Sequence, residues 1–251
     1  VKKRAPTGPL EEGFVRMIEL HPRSYIDRDE FPFSLPALRT FERLEFHPRC
    51  TIFIGENGSG KSTFLEALAI LCGFSPEGGA SVHRFRTYDS HTDLHESLRI
   101  VRGSERPTDD FFLRAESFYN VASYLDQAAK ESGGTPRIGY VHARSHGEGF
   151  LDLFKSMRAN GLYLLDEPES ALSPARQLAF LMRMNDLIQE GSQFIMATHS
   201  PILMAYPDAW IYEFTSEGIQ RVTYEDTEHY QITRSFLQAP GQYLHHLFNQ
   251  D

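Results

Sequence analysis

The stretch GENGSGKS, residues 55–62, sets three glycines, a lysine and a serine between the apolar run TIFI and the apolar run TFLEALAILCGF. Glycines let a backbone curl with its amide hydrogens pointing inward, and a helix beginning at that point adds the positive end of its dipole. The spacing G-x-x-x-x-G-K-[S/T] is that of a phosphate cradle. On this reading Gly55, Glu56, Asn57, Gly58, Ser59, Gly60, Lys61, Ser62 and Thr63 contact a nucleotide. Lys61 reaches the β- and γ-phosphates, and the Ser62 hydroxyl is a ligand for Mg²⁺. The alternative is a glycine-rich turn with an accidental lysine. Strand, loop, helix and a downstream acidic pair all favour the phosphate.

That pair lies in GLYLLDEPES, 161–170, where Leu162 to Leu165 deliver Asp166 and Glu167 to the end of a buried strand. An open α/β sheet places its ligand chemistry at such strand ends. Asp166 suits the coordination sphere of Mg²⁺ and Glu167 suits polarising an attacking water. A helix-capping acidic pair before Pro168 is the bland reading. A second cluster, SHGEG at 145–149, opens a helix and offers the Ser145 hydroxyl and the amide of Gly147 as another anion-binding helix start. One chain already has its cradle. A second γ-phosphate sensor is most useful to a nucleotide held by another copy, which implies a head-to-tail pair.

The elements that must carry these residues alternate. FVRMIELH (14–21) reads as a strand, ALRTFERLEFHP (37–48) as a strand broken by a turn, TIFIG as a strand buried on both faces, and Ser62 to Cys72 as a helix stopped by Gly73. Residues 75–110 read as irregular, FFLRAE (111–116) as a strand and SFYNVASYLDQAAKES as an amphipathic helix. SHGEGFLDLFKSMR reads as helix, GLYLLDE as strand, PARQLAFLMRMNDLIQEG as helix, SQFIMATH as strand, and AWIYEF with GIQRVTYE as a hairpin about Ser216 to Gly218. The fold class is therefore α/β: a P-loop NTPase with a mostly parallel central sheet, helices on both faces and an antiparallel β portion. Residues 1–251 form a single domain, with a variable helical subregion at about 75–135.

In this order the motifs resemble the ABC-type ATPase domain, over roughly residues 45–215. GENGSGKS looks like Walker A, LYLLDEPE like Walker B with its catalytic glutamate, and SHGEG like the signature acting in trans through Ser145, His146, Gly147 and Glu148. SALS (170–173) looks like the D-loop, placing Ser170 and Ser173 at a dimer seam, and THSP (198–201) like the switch-histidine loop, with His199 at the γ-phosphate. The resemblance thus implies Glu167 and His199 as catalytic residues, and Ser62, Asp166 and Glu116 around the metal, Glu116 standing where a glutamine loop would be. His146 and Glu148 replace the glycine and glutamine of transporter ATPases. That points to the soluble branch with the chromosome-maintenance and recombination-repair ATPases, closest to small stand-alone ATPases. Phe31 and Phe33 stand near the distance at which transporter ATPases carry an adenine-stacking aromatic, although proline-flanked phenylalanines more often anchor a core.

Composition narrows the rest. The net charge of −9 excludes a global basic field for nucleic acid, and the arginines of 84–106 alternate with acidic residues as on a solvated face. Cys50 and Cys72 read as buried thiols, and the cytoplasm is the expected location. No stretch reaches the ~18 apolar residues of a membrane span, and VKKRAPTGPLEEG lacks the apolar centre of a secretory signal. His83, His91 and His95 have no partners at zinc spacing. Trp210 and Tyr212 read as core, and Tyr243, Leu244, Leu247 and Phe248 as an apolar stripe that docks on the core or seats a partner. The expected function is an ATP- and Mg²⁺-dependent ATPase that dimerises on ATP. The alternative is an ATP-controlled binding module working with DNA, a nuclease partner or the membrane subunits of a transporter.

Overall fold

The computed structural model describes residues 9–79, 92–114 and 152–249. Among them the strands are β1 (Val15–Leu20), β2 (Arg43–Glu45), β3 (Cys50–Gly55), β4 (Leu98–Arg102), β5 (Asp109–Arg114), β6 (Gly161–Asp166), β7 (Gln193–Ala197), β8 (Trp210–Thr215) and β9 (Gly218–Val222). The helices are α1 (Pro36–Arg39), α2 (Lys61–Cys72), α3 (Pro174–Gln189), α4 (Pro201–Met204), α5 (Glu228–Gln238) and α6 (Pro240–Phe248). A six-stranded sheet runs β5-β6-β7-β3-β8-β9, parallel up to β8 and antiparallel at β9, and a three-stranded antiparallel sheet runs β2-β1-β4.

The period of two along each strand separates two cores. Ile52, Ile54, Tyr163, Leu165, Phe194 and Met196 face one side of the large sheet, where Phe180, Met184 and Leu187 of α3 cover them. Phe53, Leu162, Leu164 and Ile195 face the other, where Phe64, Leu65 and Leu68 of α2 pack. The same helix meets Val15, Ile18, Leu44 and Leu98 of the small sheet. α2 is therefore held between two sheets, which explains why its buried surface is broad rather than a narrow stripe.

Gln193, wholly buried, ties β7 to the small sheet. Its Oε1 accepts from Val15 N at 3.0 Å, and its Nε2 donates to the carbonyls of Val15 at 2.8 Å and His47 at 3.0 Å. Gly13 passes so close that a Cβ there would lie 2.4 Å from the Gln193 amide nitrogen. Gln193→Leu keeps the volume but orphans those backbone groups. It is expected to lower stability by roughly 2–3 kcal/mol, read as a lower urea midpoint at unchanged slope.

Among the described residues most expected elements form, and the differences have local causes; the expected helix SFYNVASYLDQAAKES and the first half of SHGEGFLDLFKSMR lie outside the described residues. The residues of 37–39 belong to α1, started by Pro36, and only 43–45 are strand. The region expected to be irregular contains a short helical turn at Asp93–Ser97 and then β4, because Leu94 and Leu98 can be buried there. α5, not foreseen from DTEHYQITRSFLQ, is started by Thr227, whose hydroxyl accepts from Tyr230 N. The C-terminal apolar stripe lies on α6 and is not buried in the core of the described residues: Phe248 is 77 % exposed, and Tyr243 packs edge-on to Phe236 of α5 at 5.8 Å. Trp210 and Tyr212 are half-buried rather than core: Arg221 stacks 4.1 Å over Trp210, and the Tyr212 hydroxyl donates to Glu45 O. Cys50 is buried and Cys72 partly so, and burial pushes the Cys72 thiol up to about 12. Arg99 pairs with Glu19 at 2.7 Å and Arg102 donates to Leu71 O, as on a mixed face. Among the described residues no helix is long and apolar enough to cross a membrane.

Candidate active site

Register brings the motifs together. Asp166 of β6 pairs with Ala197 of β7, and Ala197 pairs with Phe53 of β3. The chain beyond each strand therefore leaves the sheet at one edge, carrying Glu167, His199 and the 55–62 loop. The strand ladder continues briefly past these ends, with Glu167 N donating to Ala197 O and Thr198 N to Phe53 O.

Within the loop, Gly55 adopts φ 136° so close to β8 that a Cβ would sit 2.4 Å from Phe214 O, so only glycine fits. Gly60, at φ 102°, turns the chain into α2. Lys61 is buried beneath the loop, and its Nζ donates to Gly55 O and Glu56 O, both at 2.8 Å. An ammonium has three donors, so one is left for an anion. Burial lowers the Lys61 pKa, while Glu167, Asp166, Glu56 and Glu169 oppose that shift. Ser62 Oγ donates to Asp166 Oδ1 at 3.0 Å, joining the start of α2 to the end of β6. Hydroxyl and carboxylate oxygens at that spacing are the hard donors that suit Mg²⁺, and the cradle beside them suits a polyphosphate.

Glu167 lies in the left-handed region, φ 49° and ψ 53°, at the head of a helical turn, Pro168–Ala171. Its Oε1 is 3.8 Å from His199 Nε2. The histidine loop is clamped from behind. His199 N donates to Glu169 Oε1 at 2.6 Å, and Ser200 Oγ donates to Gln177 of α3 while accepting from Ile202 N and Leu203 N. Burial raises the Glu169 pKa against the amide bonds that lower it. Burial also lowers that of His199, with Lys61 adding to the effect and Glu167 opposing it. His199 Nδ1 lies 3.3 Å from Nε2 of His229, in the first turn of α5.

The expected residues divide into three groups. Residues 55–63, Asp166, Glu167 and His199 converge. Ser170 and Ser173 are exposed beside them on the turn and at the start of α3. Glu116, Ser145, His146, Gly147 and Glu148 lie outside the described residues, as do His83 and His91. His95 binds Thr92 O, and among the described residues no cluster of His, Cys, Asp and Glu could hold a metal by itself. The two phenylalanines separate: Phe33 is core, whereas Phe31 is 58 % exposed. Phe31 lines a cleft of about 270 Å³ with Leu35, Gly58, Lys61, Ser62 and Glu167. A second cavity of about 430 Å³ flanks the loop, between Asn57, Ser59, Thr215 and His229. Glu169, Gln177 and His229 escaped the sequence reading. Glu169 stands in the DEPES run and was visible as a third carboxylate there. Nothing local marks the other two.

Residues 33–129 match a family described as "AAA domain", and residues 149–205 match one described as "AAA domain, putative AbiEii toxin, Type IV TA system". The first stretch contains the glycine-rich loop and the second contains Asp166, Glu167 and His199. The chain carries an ATPase domain of the ABC/AAA type. This ATPase domain is similar to the cytochrome c biogenesis ATP-binding export protein CcmA of Rhodopseudomonas palustris strain HaA2, 26 % identical over 189 residues covering 64 % of this chain and 85 % of the relative. The CcmA of strain BisB5 is 27 % identical over 167 residues, 61 % of this chain and 78 % of that one. As an ATP hydrolase it has the fold the motifs implied: a mostly parallel sheet with helices around it and an antiparallel portion.

Proposed function

We propose that the chain is a stand-alone ATPase that closes head to tail around ATP and reopens on hydrolysis. The observation that carries this reading is the meeting of Lys61, the Ser62–Asp166 pair, Glu167 and His199 at one sheet edge. Residues 55–63 cradle the phosphates, Lys61 donates to the β- and γ-phosphates, and Ser62, Asp166 and Glu116 would hold Mg²⁺. When bound, Mg²⁺ offsets the charge on the phosphate oxygens. Glu167 orients and polarises the attacking water, and His199 faces the γ-phosphate. The other copy contributes Ser145, His146, Gly147 and Glu148, with Ser170 and Ser173 along the seam. The exposure of both D-loop serines beside Glu167 supports that seam. The whole chain acts as one domain in the cytoplasm. Light scattering of the wild type with saturating ATP and Mg²⁺ tests the sandwich: a dimer is expected, and a persistent monomer overturns it.

Phe31 serves as the adenine platform. Its exposure at the mouth of the cleft supports this role over that of a core anchor. Phe31→Ala is expected to raise KM for ATP about 3- to 10-fold through lost stacking, with kcat and the melting temperature unchanged. GTP, measured in parallel, should be affected similarly, because either purine offers a face to stack.

Similarity to ATP-binding export proteins favours a second reading, a nucleotide-binding subunit of an exporter. Stable co-sedimentation with membranes supports that reading. ATPase turnover stimulated by DNA ends, with steep salt dependence, supports a DNA-linked switch instead.

A further inference from the structure

His199 has two ring nitrogens with different neighbours. Nε2 points towards Glu167 Oε1 at 3.8 Å and has no hydrogen-bond partner among the described residues. Nδ1 meets His229 Nε2 at 3.3 Å, the rings lying 5.5 Å apart at 45°. Burial lowers the pKa of both rings, with Lys61 adding to the effect at His199 and the His199 ring adding to it at His229, while Glu167, Glu56 and Glu228 oppose it. A neutral imidazole carries one N–H, and the hydrogen bond made by one nitrogen decides which.

Two arrangements are open to the pair. If His199 donated from Nδ1, its Nε2 lone pair would face the Glu167 carboxylate and could offer nothing to a phosphate oxygen. If His229 donates from Nε2, His199 accepts at Nδ1 and presents Nε2–H to the carboxylate and to the anion. Electrostatics selects the second. We propose that His229 is a positioning residue that fixes the tautomer and orientation of His199, so that Nε2–H faces the transferred phosphoryl group. The inference rests on the reading of His199 given above and adds to it a residue from α5, an element outside every motif.

Histidine-labelled, nucleotide-free protein supplies the first test, because long-range ¹H–¹⁵N spectra identify the protonated nitrogen. The wild type is expected to show His199 protonated at Nε2, and His229→Leu a mixture of both tautomers. In ATPase assays His229→Leu should lose about 10-fold in kcat with KM for ATP within about twofold, the scale on which orienting partners act. His229→Gln, whose amide can still donate, should recover most of that loss. It also guards against misreading a folding defect. A wild-type His199 protonated at Nδ1 overturns the proposal, as does unchanged kcat in His229→Leu where His199→Ala is inactive. Wild-type turnover in His199→Ala overturns the assignment of His199 itself, and the inference with it.

Discussion

Glu167→Gln is expected to lower kcat for ATP hydrolysis by about 100-fold or more while leaving nucleotide affinity within a few-fold of wild type. General-base catalysis contributes roughly 10²–10⁴-fold, and an amide cannot take up the proton of a water. On the proposed assignment binding survives, because the phosphates are held by the glycine loop and Lys61, whose bonds to Gly55 O and Glu56 O do not involve Glu167. The isosteric amide also keeps the unusual backbone: Glu167 sits at φ 49°, where a side chain without branching at Cβ is tolerated. With hydrolysis stalled, the ATP-bound form accumulates. Size-exclusion chromatography with ATP and Mg²⁺ should then show a dimer outlasting that of the wild type. Near-normal turnover in this variant would remove Glu167 from the reaction.

Phe53→Ala is expected to cost about 3–5 kcal/mol, a large share of the roughly 5–15 kcal/mol that holds a domain together. Phe53 is wholly buried on β3, with ring neighbours Phe64 at 5.6 Å, Phe214 at 5.4 Å, Phe46 at 6.4 Å and Tyr212 at 6.5 Å. It sits just ahead of the phosphate loop and against α2, so the cavity lies directly under Lys61's helix. Nucleotide affinity should fall together with the urea midpoint. A variant as stable as wild type would mean that the aromatic cluster collapses to fill the void.

The two variants separate chemistry from scaffold, and the sequence was unequally informative about them. The turn at 55–62 and the place of Asp166 at a strand end were legible because glycines, a lysine and a serine at short fixed spacing, and a carboxylate closing an apolar run, are patterns within one strand and its turn. The buried strands were legible too, since β3 and β6 are apolar on both faces. Residues 37–39 and the stretch containing β4 were not, because such short segments carry too few residues to show a period. Their state depends on what α2 and β1 leave uncovered.

By itself the sequence marked a glycine-rich turn between strand and helix, an acidic pair at the end of an apolar run, and an alternation of strand and helix that leads to a parallel sheet. These depend on neighbours a few residues apart. Tertiary structure alone decided that Gln193 reaches β1, that Phe31 opens to the cleft while Phe33 is buried, and that Glu169 holds the backbone amide of His199 while His229 meets its ring. Those contacts join residues up to 178 positions apart, and only the register of the folded strands and the course of the chain between them bring them within reach.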